Sequence, residues 1–417
     1  MYALCNLRGE HIILLFTLDF DYRKGLTMKY KTWYYMFLAI MILPFILSVF
    51  IKDIEEQGEN RTLAEKPDLI FADINEFPSE WEKYFNDHVP FRNLFVSINS
   101  HIKFYLFKDS PNDGIVIGND NWLFIKKNEI ESYKKINVYN EGTLEAAAEY
   151  FSVVSDYCKD NGAELIIFIA PDKAEIYPEK VPKYVIKLDK PKNKAEAFAD
   201  YINSNTDVKV VYPKNDMIET KKIIKEDLYY SFDAHWNQVG AYVGTKALVK
   251  NMGVNLPDVQ NLDIIEGERI NYSLAGMMGI KNIASKEKDY VIDGYNLRRN
   301  ETNIQYLDEH GNNVITYATN PLCDKNVLML RDSFFTAMEP YISTCFRSVH
   351  APHYTLFYLS NMIEEEKPDY VIVEVVEREL DLFTYLDIIP PEKVGISPWD
   401  RFYPHVDSTI YEEISYQ

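Results

Sequence analysis

The sequence predicts an α/β protein built on a mostly parallel sheet flanked by helices. Three observations predict this class. Short apolar runs of strand length recur along the chain, segments of helical periodicity separate them, and 47% of the 417 residues are apolar, enough for a sizeable core. Alternating strands and helices are typical of parallel sheets, because each crossover returns the chain to the same end of the sheet.

Ahead of this domain, the sequence predicts one transmembrane helix. Residues 32–51, TWYYMFLAIMILPFILSVFI, carry no charge, and about twenty apolar residues suffice to span a bilayer. Basic residues precede this run and acidic residues follow it, so residues 1–31 are expected in the cytoplasm and the rest of the chain outside, tethered to the cell membrane by a single pass. Since no small-residue cleavage site follows, we interpret the segment as an uncleaved anchor. Met28 is a second candidate start, which would make residues 1–27 an upstream extension.

Residues 52–115 predict a polar stalk that ends in a docking helix. Apolar residues recur there with helical spacing, at Leu94, Ile98, Ile102 and Leu106. This spacing favours an amphipathic helix that lays one face on the domain that follows.

The main domain is predicted over residues 116–390, and residues 391–417 form a C-terminal tail. Turn residues between two apolar runs, 116–118 and 122–125, are typical of a hairpin. The next segments are predicted, in order, as helix 144–158, strand 165–170, helix 194–203, strand 208–212, helix 240–252, strand 327–330 and strand 370–376.

Charge and cysteine usage exclude several functions. The net charge is −20 and the pI is near 4.9, and no stripe of Lys and Arg is present, so we expect no nucleic-acid partner. The four cysteines, Cys5, Cys158, Cys323 and Cys345, show no CxxC spacing. Neither a zinc site nor a dense disulfide framework is therefore indicated, although a single bridge between Cys323 and Cys345 stays open.

Polar residues follow three of the predicted strands. These segments are Pro171-Asp172-Lys173, Arg331-Asp332-Ser333 and Glu377-Arg378-Glu379. Ligands of parallel sheets bind beyond the carboxyl ends of the strands, so these segments are candidates for a site. An Asp or a Ser at such a position also commonly caps the next helix, and position alone does not separate the two interpretations.

A serine, a histidine and a carboxylate together provide the minimum equipment for acyl transfer. Ser333 lies where a buried strand meets a helix, and Asp233-Ala-His235-Trp236 offers a base with a carboxylate two residues away. Backbone N–H groups around Ser333 are expected to meet the developing oxyanion, with Arg331 or Lys173 as further candidates. Trp236 either packs on a sugar face or anchors the following helix from a buried position.

Five motifs in order carry a resemblance to a known family. They are Trp122-Leu123-Phe124, Pro171-Asp172-Lys173 with Tyr177-Pro178, Asp233-x-His235-Trp236, Arg331-Asp332-Ser333-Phe334 and Val375-Val376-Glu377-Arg378. Together, over residues 55–385, they resemble the AlgX/AlgJ-like (DHHW-type) alginate O-acetyltransferase family, whose members have an SGNH hydrolase-like fold. Two departures are Arg331, where the nucleophile block usually has glycine, and Ala234, which replaces the second residue of the DHHW pattern.

The resemblance implies both chemistry and setting. Ser333 would be the acyl-enzyme nucleophile, His235 its base and Asp233 the residue that orients the base, and no metal or organic cofactor is implied. Lys173, Trp236, Arg331 and Arg378 are candidates for the substrate or oxyanion side. Family members act outside the cytoplasmic membrane on exopolysaccharide and receive acetyl through a membrane-bound O-acyltransferase.

The sequence therefore predicts an anchored, extracytoplasmic O-acetyltransferase that acts on a cell-surface polysaccharide. A carbohydrate esterase with the same triad is one alternative. A non-catalytic polysaccharide-binding or assembly protein is another, and Arg331 gives this second alternative some weight.

Overall fold

A computed structural model describes residues 28–51, 64–67, 76–267, 272–284, 287–293, 302–355 and 359–397. The chain divides into two compact units. The first covers residues 1–56 and 61–98, and the second covers residues 57–60 and 99–417.

The first unit is helical. It contains α1 (Met28–Leu47), α2 (Phe77–Asp87) and most of α3 (Arg92–Ile102). The segment predicted as a membrane span falls on α1 and the turn after it. In the described part of the chain, no helix has the length and apolarity needed to cross a bilayer. Membrane anchoring stays a prediction, as does docking of the stalk helix.

The second unit begins with a π-helical turn at Lys103–Phe107 and a small hairpin. Its first half contains β1 (Ile115–Ile117), β2 (Leu123–Ile125), α4 (Glu129–Tyr133), α5 (Glu141–Asp160), β3 (Glu164–Ala170), α6 (Lys173–Ile176), α7 (Lys194–Asn205), β4 (Lys209–Val211), α8 (Lys214–Ile223) and α9 (Gln238–Lys250). The hairpin of β1 and β2 is antiparallel, as predicted.

The second half of this unit contains more strands than the sequence predicts. Its elements are β5 (Ile264–Gly267), α10 (Ser273–Met277), α11 (Lys281–Ala284), β6 (Asp289–Ile292), β7 (Thr302–Tyr306), β8 (Asn313–Ala318), β9 (Cys323–Leu330), α12 (Phe335–Ile342), β10 (Phe346–Pro352), α13 (Ser360–Glu366), β11 (Tyr370–Val376) and α14 (Pro391–Val394). A 3-10 helix at Glu377–Thr384 follows β11.

Within the described residues, the main sheet has seven strands in the order β4-β3-β11-β9-β10-β8-β7. The strands from β4 to β10 in this order pair in parallel. By contrast, β8 pairs with β10 and β7 with β8 in antiparallel fashion. The α/β class is confirmed, but the sheet is mixed, because a hairpin adds two antiparallel strands at one edge.

Helices cover both faces of the sheet, and β3 shows why. Ile166 and Phe168 point into a core shared with α9 and α12, whereas Leu165 and Ile167 point into a core shared with α5 and α7. Strands buried on both faces have continuous apolar sequences instead of alternating ones. The short apolar runs that predict the fold arise from this arrangement.

The sheet brings the carboxyl ends of its parallel strands to one edge. β9 and β10 end there next to each other, and an isolated bridge pairs Arg331 with His353 just beyond them. Because β8 runs antiparallel to β10, the turn between β7 and β8, residues 307–312, lies at this edge as well. The edge therefore gathers Ser333, the end of β10 and the β7–β8 turn.

Candidate active site

Ser333 lies in a short turn between β9 and α12, with its side chain exposed between the buried Asp332 and Phe334. The Asp332 carboxylate accepts hydrogen bonds from the backbone N–H of Phe334 at 2.7 Å and of Val376 at 2.7 Å. In return, the N–H of Asp332 donates to Oε2 of Glu374 at 2.7 Å. These bonds fix the turn to the end of β11, so that Ser333 is held outward.

Glu374 is a buried carboxyl in the apolar run of β11. Burial, followed by the negative charge of Asp332, raises its pKa well above the ordinary value. The protonated form is therefore favoured, and two neighbouring carboxyl groups can stay together without two buried negative charges.

Asp233 and His235 lie on a loop that leads into α9. Asp233 is fully buried. Its Oδ1 accepts the backbone N–H of His235 at 3.0 Å, and its Oδ2 accepts the N–H of Ser273 at 2.6 Å. At the end of the loop, Asn237 caps α9 by accepting the N–H groups of Val239 and Gly240, both at 3.0 Å. The loop is thus held from both ends.

Gly240 permits the close approach of this loop to α9. A Cβ at this position would lie 2.2 Å from the carbonyl oxygen of Leu228 and 3.0 Å from Cβ of Trp236. Any larger residue would push α9 away from the loop that carries His235.

The loop and the turn meet in one hydrogen-bonded chain. Nδ1 of His235 lies 2.6 Å from Oδ1 of Asp233, and Nε2 lies 2.7 Å from Oγ of Ser333. Because the carboxylate accepts from Nδ1–H, Nε2 is left to accept the hydroxyl proton of Ser333. Burial opposes ionisation of Asp233, but the hydrogen bond and charge of His235, with two backbone N–H groups, lower its pKa below the ordinary value. The arrangement can therefore withdraw a proton from an exposed serine hydroxyl.

Lys173 supports the loop from beneath the site. Its side chain is fully buried, and Nζ donates to the carbonyl oxygen of Asp233 at 2.7 Å and of Tyr230 at 3.1 Å. Nζ also lies 5.0 Å from the ring centroid of Phe124 and 5.7 Å from that of Trp122. Lys173 contacts the backbone of the loop that carries Asp233 and His235, and this placement argues against direct contact with a substrate.

Trp236 joins the loop to the serine turn. Only 1% of the residue is exposed, and Nε1 donates to the carbonyl oxygen of Phe334 at 3.0 Å. Its ring packs edge-on against Phe334, whose ring centroid also lies 5.0 Å from that of His235. The structure favours the buried anchor over the sugar platform.

Arg378 and Arg331 are also largely buried, at 8% and 6% exposed. Arg378 donates to Oδ1 of Asp172 at 2.7 Å and lies over the ring of Phe334. Arg331 donates from Nη2 to the carbonyl oxygen of Gly311 at 2.9 Å. Its Nη1 donates to the carbonyl oxygen of Asp332 at 3.4 Å, so the guanidinium links the β7–β8 turn to the turn that carries Ser333.

A network of buried ionisable groups lies behind the loop. Glu377 accepts the backbone N–H of Asp172 at 3.0 Å, Nδ2 of Asn193 at 2.8 Å and the hydroxyl of Tyr212 at 2.7 Å. Burial, followed by the charge of Glu175, raises the pKa of Glu377 to about 7. These groups act as structural support, because none of them reaches the Ser333 hydroxyl directly.

Sequence reasoning missed two supports of the site. Ser273 holds Asp233 through its backbone N–H, for which a sequence carries no signal. Glu374 did leave a signal, since a charged residue inside the apolar run of β11 must find a partner when buried.

Metal binding and a disulfide are the other kinds of chemistry that the sequence raised. Within the described ranges, no group of three or more His, Cys, Asp or Glu side chains is arranged to hold a metal ion. Cys323 and Cys345 are not bridged by a disulfide in the structure.

Comparison with known families gives a match that includes this loop. Residues 115–264 match the family model described as "SGNH hydrolase-like domain, acetyltransferase AlgX". The match contains Asp233 and His235 and ends before Ser333. The resemblance predicted from the motifs is thereby confirmed for this segment.

Curated relatives agree with this match. A protein of Pseudomonas fluorescens named "Probable alginate O-acetylase AlgJ" is 23% identical over 194 residues, 45% of this chain and 46% of the relative. A Pseudomonas putida protein of the same name is 22% identical over 170 residues, 40% of this chain and 41% of the relative. The chain thus spans less than half the length of these relatives.

Solved structures show weak overall similarity. A DHHW family protein from Eubacterium siraeum has a TM-score of 0.45 at 14% identity and covers 64% of this chain and 91% of that one. PatB1 of Bacillus cereus has a TM-score of 0.46 at 16% identity, covering 64% and 97%. The O-acetyltransferase domain of Pseudomonas putida AlgJ has a TM-score of 0.43 at 17% identity, covering 68% and 97%.

Proposed function

We propose that this chain is an O-acetyltransferase that carries an acetyl group on Ser333 and transfers it to a hydroxyl of a cell-surface polysaccharide. The observation that carries the proposal is the hydrogen-bonded chain from Asp233 through His235 to the exposed hydroxyl of Ser333. The AlgX-type domain match and the AlgJ names of its relatives support acetyl as the acyl group.

In the first half-reaction, His235 acts as the general base. Nε2 takes the hydroxyl proton while Oγ of Ser333 bonds to the carbonyl carbon of the acetyl donor. The tetrahedral intermediate then collapses, the bond to the donor oxygen breaks, and Nε2–H returns the proton to that oxygen. The product is acetyl-Ser333 with a neutral His235.

In the second half-reaction, a sugar hydroxyl takes the place of the donor. His235 removes its proton, the sugar oxygen bonds to the carbonyl carbon, and the bond to Oγ of Ser333 breaks. The serine oxygen recovers the proton from Nε2, so the site returns to its starting state with one acetyl ester transferred.

The oxyanion of both intermediates needs a hydrogen-bond donor near Ser333. The backbone N–H of Asp332 is bonded to Glu374, and that of Phe334 is bonded to Asp332. Of residues 332–334, this leaves the N–H of Ser333 as the proposed donor.

The proposal includes the setting expected from the sequence. An anchor at residues 32–51 would place the domain outside the cytoplasmic membrane, and exposed apolar side chains of α1, such as Phe37, Ile40 and Ile46, support it. A membrane-bound O-acyltransferase would supply the acetyl group. Membrane fractionation, followed by protease digestion of intact cells, tests this placement, which cytosolic, protease-protected protein would contradict.

The chemistry is tested by mass spectrometry of the purified 417-residue chain after incubation with an activated acetyl ester, 4-nitrophenyl acetate. We expect one acetyl adduct on the peptide that contains Ser333. The adduct should be absent in Ser333→Ala and strongly reduced in His235→Ala. Ser204→Ala, which changes an exposed serine on α7, is the matched control and should be labelled as the parent is. Equal labelling of Ser333→Ala would overturn the proposal.

A carbohydrate esterase is the second candidate function, and the exposure of Ser333 favours it because water can reach the ester. The two activities differ only in what intercepts acetyl-Ser333. NMR of the products with a glycan acceptor present distinguishes them, since a transferase gives an acetylated sugar and an esterase gives acetate at an unchanged rate.

A further inference from the structure

The two flanks of β9 differ in what they present beside Ser333. Toward β11 and β3, three residues close the flank with buried side chains: Lys173, Trp236 and Arg378. Their polar groups are bonded to the protein itself. A sugar chain whose hydroxyl reaches Nε2 of His235 has no exposed polar partner among these residues.

The other flank is formed by the end of β10 and the β7–β8 turn. The backbone N–H of His353 donates to the carbonyl oxygen of Asn312 at 2.7 Å, and Arg331 donates to that of Gly311 at 2.9 Å. Adjacent strands are separated by about 4.8 Å, so the turn lies within roughly two strand spacings of β9. These bonds hold the turn next to the strand that carries Ser333.

This flank carries side chains that a sugar can reach. Glu309, His310 and Thr355 are exposed, and His353 and Tyr354 are half-buried. The rings of His353 and Tyr354 are in contact at a tilt of 31°, with centroids 4.5 Å apart. Aromatic faces next to hydrogen-bonding groups are a common way to bind the mixed apolar and polar surface of a sugar.

His353 is prepared to donate a hydrogen bond. Its Nδ1 accepts from the backbone N–H of Thr355 at 3.4 Å, and the Thr355 hydroxyl lies 2.9 Å from the same atom. The ring proton is therefore placed on Nε2. Burial, and then the positive charge of Arg331, lower the pKa of His353 below its ordinary value of 6.5, which favours the neutral ring.

The charges on this flank select against an anionic ligand. Asp308 and Glu309 lie on the turn, and Glu379 interacts electrostatically with Tyr354 from the other side. Among the described residues that line this flank, the cation Arg331 is buried and interacts electrostatically with Glu374, Asp332 and Asp308. A polyuronate would bring one carboxylate per sugar to a surface that already carries carboxylates.

We propose that the end of β10 and the β7–β8 turn form the acceptor subsite, with Glu309, His353 and Tyr354 as its ligand-binding residues, and that it takes a neutral or amino-bearing glycan in preference to a polyuronate. This inference rests on the proposed function, because it names the acceptor of the same Ser333 ester. It departs from what the names of the relatives would suggest, since alginate is a polyuronate.

Equilibrium binding tests the inference without any chemistry. The Ser333→Ala chain is titrated with cello-oligosaccharide, chitosan oligosaccharide and mannuronate oligosaccharide of equal length, with binding followed by NMR. We expect the mannuronate oligosaccharide to bind at least about fivefold more weakly than the other two, as one unfavourable surface charge contact implies.

A charge reversal on the turn provides the decisive variant. Glu309→Lys, in the Ser333→Ala background, should shift the preference toward the mannuronate oligosaccharide by roughly fivefold, and the shift should fade with added salt. Glu145→Lys, an exposed position on α5, is the matched control and should leave the preference unchanged. His353→Ala should weaken all three ligands, and His353→Gln, which keeps an N–H donor, should restore part of the loss.

Different results would overturn this inference and the proposed function. A preference that is the same in Glu309→Lys and in its control, or stronger binding of mannuronate by the parent, would overturn the acceptor subsite. Absence of acetyl on Ser333 in the labelling experiment would overturn the proposed function and the acceptor role together.

Discussion

The two flanks of β9 differ in role. The flank toward β3 holds the catalytic loop in place, and the flank toward β8 is the proposed place for the substrate. The flank toward β3 is buried and ionic, because Arg378 donates to Asp172 and the buried Lys173 donates to the backbone of the loop that carries His235. The flank toward β8 is half-exposed, and its groups are held mainly through backbone carbonyls of a turn. Changes on the first flank should therefore affect stability and the rate of chemistry, and changes on the second should affect ligand choice.

The largest effect is expected at the boundary between the flanks, where Asp233 meets His235. Asp233→Ala removes the acceptor that holds the imidazole tautomer and orientation, so acetylation of Ser333 should slow by about 10⁴-fold. Rapid-quench mass spectrometry measures this rate. Asp258→Asn, at an exposed carboxylate paired with Lys246, is the control. A loss of less than about tenfold would remove Asp233 from the mechanism.

The next largest effect is expected on the buried flank. Lys173→Met removes an ammonium that donates to two backbone carbonyls, and each acceptor left unsatisfied costs about 1–3 kcal/mol. Urea unfolding measures the change in the free energy of unfolding. Lys180 lies over the same Trp122 ring but pairs with Asp120 at the surface, so Lys180→Met should cost less than about 1 kcal/mol. Similar losses in both variants would contradict the contrast between the flanks.

A smaller effect is expected for the hydrogen bond from Arg331 to the β7–β8 turn. Arg331→Met removes the bond to Gly311, which should cost about 1–3 kcal/mol and loosen the turn. Hydrogen exchange of residues 307–313 should become faster, with no change in β3. Arg331→Lys keeps the charge but not the planar fork, so it should restore little of the protection. Unchanged exchange in Arg331→Met would show that the turn is held by other contacts.

The smallest effect concerns His353. Burial and the charge of Arg331 both lower its pKa, so Arg331→Met should raise the pKa of His353 toward the ordinary value of 6.5. NMR titration of the imidazole C–H signal measures it, with exposed His310 as the internal reference. A fall or no change would show that Arg331 does not act on this ring.

The sequence predicted the buried flank better than the open one. Continuous apolar runs, such as 165–170 and 370–376, appear because parallel strands are buried on both faces, and the polar residues after them mark the site edge. Ser333 was predicted this way, whereas Asp233 and His235 were predicted from their spacing of two residues and from the family resemblance. The hydrogen bonds among them depend on a fold that brings residues about a hundred positions apart together, and spacing alone does not give that distance.

The open flank escaped prediction because its strands are less regular. β7 and β8 lie at the partly exposed edge of the sheet, and β10 is mostly buried but contains the polar residues Arg347, Ser348 and His350. The sequences of these strands therefore lack both the continuous and the alternating apolar pattern. His353 reaches the site through the parallel pairing of β10 with β9, and the β7–β8 turn reaches it through the antiparallel pairing of β8 with β10. Burial likewise changes the interpretation of Lys173, Trp236, Arg331 and Arg378, since residue type did not reveal which atoms face the protein.

The most direct test of acetyl transfer through Ser333 is a pulse–chase with carbon-13-labelled acetyl. The chain is loaded from an activated acetyl ester, the donor is removed, and a neutral oligosaccharide is added. We predict that the label leaves the Ser333 peptide and appears on a sugar hydroxyl at the same rate. Label that stays on Ser333, or sugar acetylation that continues in Ser333→Ala, would contradict the serine ester as the carrier.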